Sequence, residues 1–302
     1  MNLRGRRKKW WLLGAAVFVV VAGILGYGFA ETFHIEIKRF TITSPDLPIG
    51  FDGTRIALVT DIHRGGFFSQ DRVGRLVERV NALHPDLVIL GGDYVYVKTD
   101  YEASCFAELA KLVAPLGRFV VLGNHDYGEY DDKNRTTDKG RGDPAAAIAA
   151  VETAGLTLLD NRAVWVTKAG GRIRIGGVGD YKEDAPQLAP TTEGTTRRDF
   201  VILVSHNPDF AEELPAGAVD LTLSGHTHGG QVTFFGLWAP SLPSEYGQKY
   251  RTGLVVTERT TVIVSNGIGT IFPPIRLFAR PQIVEVTLRS SAASAVGPAV
   301  RP

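Results

Sequence analysis

Apolar and polar positions follow three different patterns along the chain, and each predicts a different element. Residues 10–30 carry no charge. Read as a helix at ~1.5 Å per residue, that run matches the ~30 Å hydrocarbon layer of a bilayer. Lacking a polar face, it suits the surface of a soluble fold poorly. From residue 34 to 42, Ile35, Ile37 and Phe40 stand among charged residues, the pattern of a strand. Beyond it, runs rich in Val, Ile and Leu recur at 56–59, 87–90, 119–122, 201–204 and 219–223. Such short, continuous apolar runs suit strands buried on both faces. Helical spacing separates several of them. Ser69 is placed to cap a helix with Val73, Leu76, Val77 and Val80 on one face, ending near Pro85. A second helix is predicted over 102–113, and an Ala-rich third runs from Pro144 to Gly155. The second half holds more strands than helices, at 156–159, 163–167, 172–177, 254–257, 261–264 and 283–288. A polar segment over 127–143 is predicted to be a mobile loop beside the site. The Ala/Ser/Pro-rich tail over 290–302 reads as disordered. The chain thus divides into a basic flank (1–9), an apolar span (10–30), one α/β domain (31–289) and a tail.

Charge sharpens the reading of the N-terminus. Residues 1–30 hold five basic residues (Arg4, Arg6, Arg7, Lys8, Lys9) and no acidic one, which leaves 28 basic against 32 acidic residues elsewhere. A mildly acidic body argues against nucleic acid as a partner. The basic flank predicts a cytoplasmic N-terminus, a single pass through the cell membrane and a domain outside the cytoplasm. Trp10 and Trp11 mark one interface, and Tyr27 and Phe29 the other. Gly28 and Ala30 are small enough for a signal cleavage site, which would release a secreted form, and Arg6-Arg7 offers a weak twin-arginine signal. Signal cores usually run only ~7–15 residues, so the longer span favours a retained anchor. The lone cysteine, Cys105, excludes an internal disulfide and lies in a helical stretch where packing is its expected role.

The chemistry lies just past the end of each buried run. Residues 56–59 lead into Thr60-Asp61-Ile62-His63, and 87–90 into Gly91-Gly92-Asp93. Residues 119–122 lead into Gly123-Asn124-His125-Asp126, and 201–204 into Ser205-His206. The last run leads into Ser224-Gly225-His226-Thr227-His228. In open α/β sheets the loops beyond strand C-termini form the binding crevice, so these groups are placed to converge. Singly each is weak: Asp and Gly favour turns, and a histidine often simply packs in a core. Together they claim five of the seven histidines, leaving His34 and His84 as surface residues.

The ordered set Asp61–His63, Gly92-Asp93, Gly123–Asp126, His206 and Gly225–His228 resembles the calcineurin-like metallophosphoesterase superfamily over about residues 54–290. Ser205-His206-Asn207-Pro208-Asp209, Gly229-Gly230-Gln231 and Asn266-Gly267-Ile268-Gly269-Thr270 look like a narrower branch. That branch holds bacterial membrane-associated phosphodiesterases, including UDP-diacylglucosamine pyrophosphohydrolases and cell-wall-associated phosphatases. The resemblance implies a four-layer α/β/β/α sandwich behind the N-terminal transmembrane helix. It also implies hydrolysis of a phosphodiester or pyrophosphate by a hydroxide held between two divalent ions. One ion falls to Asp61, His63, Asp93 and His228, the other to Asp93, Asn124, His206 and His226. Two such ions against two carboxylates leave a net positive site for a phosphate anion. Mixed N/O ligands without thiolate suit Mn first, with Fe, Zn or Mg as alternatives. By resemblance His125 stabilises the transition state or protonates the leaving oxygen, with Asp126 orienting its imidazole and raising its pKa. Arg64 and Arg276 are candidate phosphate contacts through bidentate geometry. A substrate that is a small phosphate ester or lipid-linked is expected, with phosphomonoester or phosphoprotein hydrolysis, or a non-catalytic scaffold, as alternatives.

Overall fold

The computed structural model describes residues 3–128 and 143–292. Two six-stranded sheets are built from the apolar runs. The first contains, in spatial order, β1 (Glu36–Ser44), β12 (Gln282–Ser290), β2 (Arg55–Val59), β3 (Leu87–Gly91), β4 (Arg118–Val121) and β5 (Thr157–Leu158). The second contains β10 (Gly253–Val256), β11 (Thr261–Val264), β9 (Leu221–Ser224), β8 (Val201–Val204), β7 (Gly171–Gly177) and β6 (Arg162–Lys168). Their facing sides interdigitate: Ile56, Leu58, Phe119 and Val121 of one meet Ile175, Ile202, Val204 and Ile263 of the other in a shared apolar core. This explains the unbroken apolar runs. In β2, Ile56 and Leu58 enter the inter-sheet core, while Ala57 and Val59 pack beneath helices.

The helical layer on the first sheet is α2 (Gln70–Asn81), α3 (Glu102–Leu109) and α4 (Ala145–Thr153). Val73, Leu76, Val77 and Val80 bury the predicted face of α2, and Ser69 and Pro144 hold the N-cap positions of α2 and α4. The α3 helix ends at Leu109, four residues short of expectation. The outer side of the second sheet is covered more thinly, by the four-residue α5 (Ala189–Thr192) and a 3-10 turn, Pro208–Glu213, over Leu203 and Val219. The result is a mixed α/β sandwich of two sheets. His34 and His84 are exposed, and Cys105 is buried against Tyr94.

Register decides where the N-terminus arrives. Strand β12 runs antiparallel to β2, with Val284 opposite Leu58, and parallel to β1, with Glu36 opposite Gln282. Chain entry at Glu36 therefore lies at the edge where β2 ends. Before it runs α1 (Leu3–Glu31), helical well into the basic flank, whose stretch Lys9–Glu31 is long and apolar enough to cross a membrane. Gly28 O accepts Arg276 N–H (2.9 Å), and the Glu31 carboxylate accepts Phe278 N–H (3.0 Å), tying the helix end to the domain. Ser290, assigned to the tail by composition, instead closes β12. It is fully buried, donates its N–H to Asp52 (2.9 Å) and its hydroxyl to Leu47 O (2.8 Å). Residues 129–142 of the predicted loop and 293–302 of the predicted tail lie outside the described residues.

Candidate metal centre

Strands β2, β3, β4, β8 and β9 all end at one edge of the sandwich, and their ends bring six predicted ligand residues together. Donor atoms of Asp61, His63, Asp93 and His228 lie within 4.8 Å of one another, as do those of Asp93, His206 and His226. Asp93 is common to both groups. Its Oδ2 stands 3.2 Å from His206 Nε2 and 3.5 Å from His63 Nε2, and Asp61 Oδ1 stands 3.4 Å from His228 Nε2. Asn124 lines the cavity in front of Asp93.

The backbone is bent to achieve this. Asp61, His63, Asp93, His226 and His228 all adopt left-handed φ values between 49° and 68°. Asp and His tolerate this region better than most residues, yet each such position still costs about 1–3 kcal/mol. Strain concentrated on five donor residues marks a place selected for geometry over stability. At Gly92 (φ +96°) the packing is equally tight, since a Cβ there would meet Gly123 N and His206 Nδ1 at 2.6 Å. Cross-links then lock the strand ends. Asp61 accepts His226 N–H (3.0 Å), Asp93 accepts His125 N–H (2.9 Å), and His206 Nδ1–H donates to Gly91 O (2.8 Å). The last contact leaves Nε2 as the atom that faces Asp93, the arrangement by which outer carbonyls orient ligating histidines.

The electrostatics suit a cation. Burial holds the His63, His226 and His228 imidazoles below their usual range, so they are neutral with a lone pair to offer. His226 Nε2 is buried without a hydrogen-bond partner, an orphan that a metal ion would satisfy. Burial works against a charge on His206 too, yet Asp93, Asp61 and Asp180 hold it up at about 10. Despite its own burial, Asp93 is kept well below the usual carboxylate range by His206 and His125. Two buried carboxylates, three neutral imidazoles and a local field strong enough to hold a proton on His206 fit divalent metal ions.

A model of the calcineurin-like phosphoesterase family matches residues 54–230, more than half of the chain. The chain belongs to that family. This phosphoesterase is 33% identical over 275 residues to YkuE of Bacillus subtilis, an uncharacterized metallophosphoesterase, covering 88% of this chain and 91% of the relative. An uncharacterized metallophosphoesterase of Aquifex aeolicus is also 33% identical, over 89% of this chain and 98% of its own. Phosphodiesterase YaeI of Escherichia coli is 27% identical over 86% of this chain and 93% of its own. The phosphoesterase is thus a hydrolase of phosphoric esters, and its family implies divalent metal ions at the cluster just described.

Three residues have surroundings other than those expected. Asp126 does not orient His125. Its carboxylate accepts the backbone N–H groups of Asp93, Tyr94 and Gly123, each at 2.8 Å, and so brackets the β3 and β4 ends together. Nor is the His125 pKa raised: burial pushes it down to about 3 against the pull of Asp93, and the imidazole is neutral. Arg276 cannot reach a phosphate. It is fully buried, and its five N–H groups go to the carbonyls of Gly269, His228, Ala279 and Asn266. Its 3.4 Å approach to His228 Nδ1 is packing, because both Nη2 protons already serve Asn266 and Gly269. Arg64 donates to Gly65 O and lies over the Tyr101 ring, 4.5 Å from its centre, away from the cavity lining.

Among the described residues, the lysine that lines the cavity is Lys182. It lies past the end of β7, where Asp180 Oδ1 accepts the N–H groups of Lys182 and Glu183 (both 2.9 Å) and so shapes the turn that presents the ammonium. A signal for it is present in the sequence, since β7 leads into Val178-Gly179-Asp180, the same strand-glycine-aspartate pattern that marks Asp93. An exposed lysine at the cavity mouth acts on a phosphate anion as a point charge. Lys182→Ala should raise KM for a phosphodiester about tenfold or less and leave kcat nearly unchanged, because one partly screened ion pair contributes about 1 kcal/mol.

Proposed function

We propose that this phosphoesterase is a membrane-anchored enzyme that hydrolyses a phosphodiester or pyrophosphate bond in a lipid-linked substrate. The observation that carries this reading is the cavity of about 650 Å³ at the strand ends. Its lining joins Asp93, Asn124, His125, His226, His228 and Lys182 to apolar side chains, Val232, Pro240, Leu242, Pro243 and Ile271. A lining that carries both metal-ligand side chains and apolar ones suits a molecule with a phosphoester joined to a hydrocarbon part. The name of the YaeI relative supports a phosphodiesterase, and the narrower likeness to UDP-diacylglucosamine pyrophosphohydrolases supports a lipid-linked pyrophosphate.

Asp61, His63, Asp93 and His228 would hold one ion, and Asp93, Asn124, His206 and His226 the other, with manganese the first candidate for a thiolate-free N/O set. Bound there, two such ions would lower the pKa of water and offset charge on the phosphoryl oxygens. The remaining work falls to the chain itself. Lys182 draws in the anion, Pro240, Leu242 and Ile271 exclude water from its apolar part, and Asp126 keeps the β3 and β4 ends in register. His125, neutral and rigidly mounted through its N–H to Asp93, donates a hydrogen bond from its ring to a phosphoryl or leaving oxygen. That role needs no imidazolium. His125→Ala should lower kcat about 10²–10³-fold, the usual cost of one transition-state donor, with metal content unchanged by elemental analysis. Loss of metal in this variant would make His125 a structural neighbour of the ligands.

The apolar stretch Lys9–Glu31 serves as the anchor, and the basic residues before it place the N-terminus in the cytoplasm and the catalytic domain outside. Purified enzyme supplied with Mn²⁺ should cleave bis(p-nitrophenyl) phosphate and a diacyl pyrophosphate lipid in preference to p-nitrophenyl phosphate. A clear preference for the monoester would replace this reading with a phosphomonoesterase.

A further inference from the structure

The catalytic domain carries an exposed apolar surface that the chemistry does not use. Residues Phe234 to Trp238 form a tight turn in which Phe235 is 77% and Leu237 82% exposed, and Phe272, which follows the cavity-lining Ile271, is 73% exposed. We infer that this surface is a bilayer-docking apron which seats the mouth of the metal cavity on the membrane.

Three observations argue for lipid as its occupant. The first is continuity with the helix that precedes the domain. The Phe235 ring lies 5.3 Å from Phe278, which lies 5.8 Å from Tyr27 near the end of α1, so one aromatic path joins helix and apron. The second is position. Register places Glu36, where the chain enters β1, at the same sheet edge as the metal ligands, and the apron borders the cavity there. Pro240, two residues beyond Trp238, and Ile271, beside Phe272, both line the cavity. The third is the turn's own backbone. Phe234 N–H donates to Trp238 O (2.8 Å), Leu237 N–H to Phe234 O (3.0 Å) and Gly236 N–H to Thr233 Oγ1 (2.9 Å), while Gly236 O accepts Arg251 Nη2–H (2.7 Å). A bilayer supplies no hydrogen-bond partners, so a segment seated in it gains from polar groups paired within the protein, as the N–H groups of Phe234, Gly236 and Leu237 are. The Gly236 φ of +76° is what lets so short a turn close. Phenylalanine, leucine and tryptophan are the residues that interfacial segments turn toward lipid. With the apron seated, a lipid could enter the cavity past Pro240 and Ile271 while the phosphoester stays beside Asp93 and Lys182.

The inference builds on the anchored reading of α1, and the test separates the two. Full-length protein is reconstituted in phosphatidylethanolamine/phosphatidylglycerol vesicles with one nitroxide label, on Phe235→Cys, Val113→Cys or Val20→Cys. Cys105 is buried and stays unlabelled. Val113 is 65% exposed ahead of β4, at the sheet edge opposite the cavity, and serves as the aqueous reference. The expected result is that the label at 235 loses accessibility to a water-soluble nickel chelate and gains accessibility to oxygen, whereas the label at 113 stays open to nickel. Equal nickel accessibility at 235 and 113 overturns the inference. Shielding of 235 from both reagents also overturns it, because a protein surface would then cover the turn. The label at Val20 reports the anchor alone. Lipid-exposed 20 with aqueous 235 leaves the anchor standing and removes the apron, and the reverse pattern removes the anchor and keeps the apron.

Discussion

Asp93→Asn should abolish turnover, lowering kcat/KM for a phosphodiester by about 10³-fold or more. Asp93 is the one carboxylate shared by both donor groups, so its loss affects each of them. A metal centre supplies several kcal/mol of transition-state charge stabilisation, and each 1.36 kcal/mol is about tenfold in rate. Asparagine is the informative replacement. It keeps the shape, it still accepts the N–H of His125, and it tolerates the left-handed φ of 58° at this position. Loss of function would therefore report charge, with the fold intact by circular dichroism. Thermal denaturation gives an independent readout. Mn²⁺ at 100 times its Kd should stabilise the parent protein by ~2.7 kcal/mol, or about 5–10 °C in Tm for a domain of this size. The variant should show little of that shift. A variant that retained both metal and turnover would remove Asp93 from its assigned place.

Arg276→Met should cost about 3–5 kcal/mol of stability and lower Tm by about 10 °C or more. The guanidinium is wholly enclosed, and burial holds it down to about 10, still charged at neutral pH. Methionine fills similar volume but leaves the carbonyls of Asn266, Gly269 and Ala279 without the guanidinium's donors and takes one of two from His228 O, which keeps Gln231 N–H, and each stranded buried group costs about 1–3 kcal/mol. Lysine should not rescue, because a point-like ammonium with three donors cannot reproduce a five-donor planar fork. Because one of those carbonyls belongs to His228, the same variant should also bind Mn²⁺ more weakly in calorimetry. If Arg276→Met were as stable as the parent but raised KM sharply, the residue would contact substrate after all.

Both expectations bear on how much of this protein could be read before its segments were placed in space. The buried strands were legible because a continuous apolar run is a local property, and residues 56–59, 87–90 and 201–204 became strands within a residue of prediction. The edge that gathers Asp61, His63, Asp93, His206, His226 and His228 was legible for a related reason. Strands of one direction in a sheet end on one side, so residues just past their C-termini become neighbours. The limits of elements were less legible. Ser290 looks like tail by composition, yet it is held by Asp52, and α3 stops at Leu109 although the sequence would let it continue.

What the sequence determined by itself was which donor residues gather at one sheet edge, because strand ends and residue types are properties of short segments. What only the tertiary structure decided was the work each polar group does. Asp126 looks like a partner for its neighbour His125 but braces Asp93, 33 residues away. Arg276 looks like an anion contact until the carbonyls of Asn266, Gly269 and Ala279 and that of the more distant His228 enclose it, and Lys182 becomes important only where its loop meets the cavity. A charged or hydrogen-bonding side chain takes its role from the atoms within about 3 Å of it. Here those atoms come from chain segments up to 165 residues apart, a separation that no local pattern encodes.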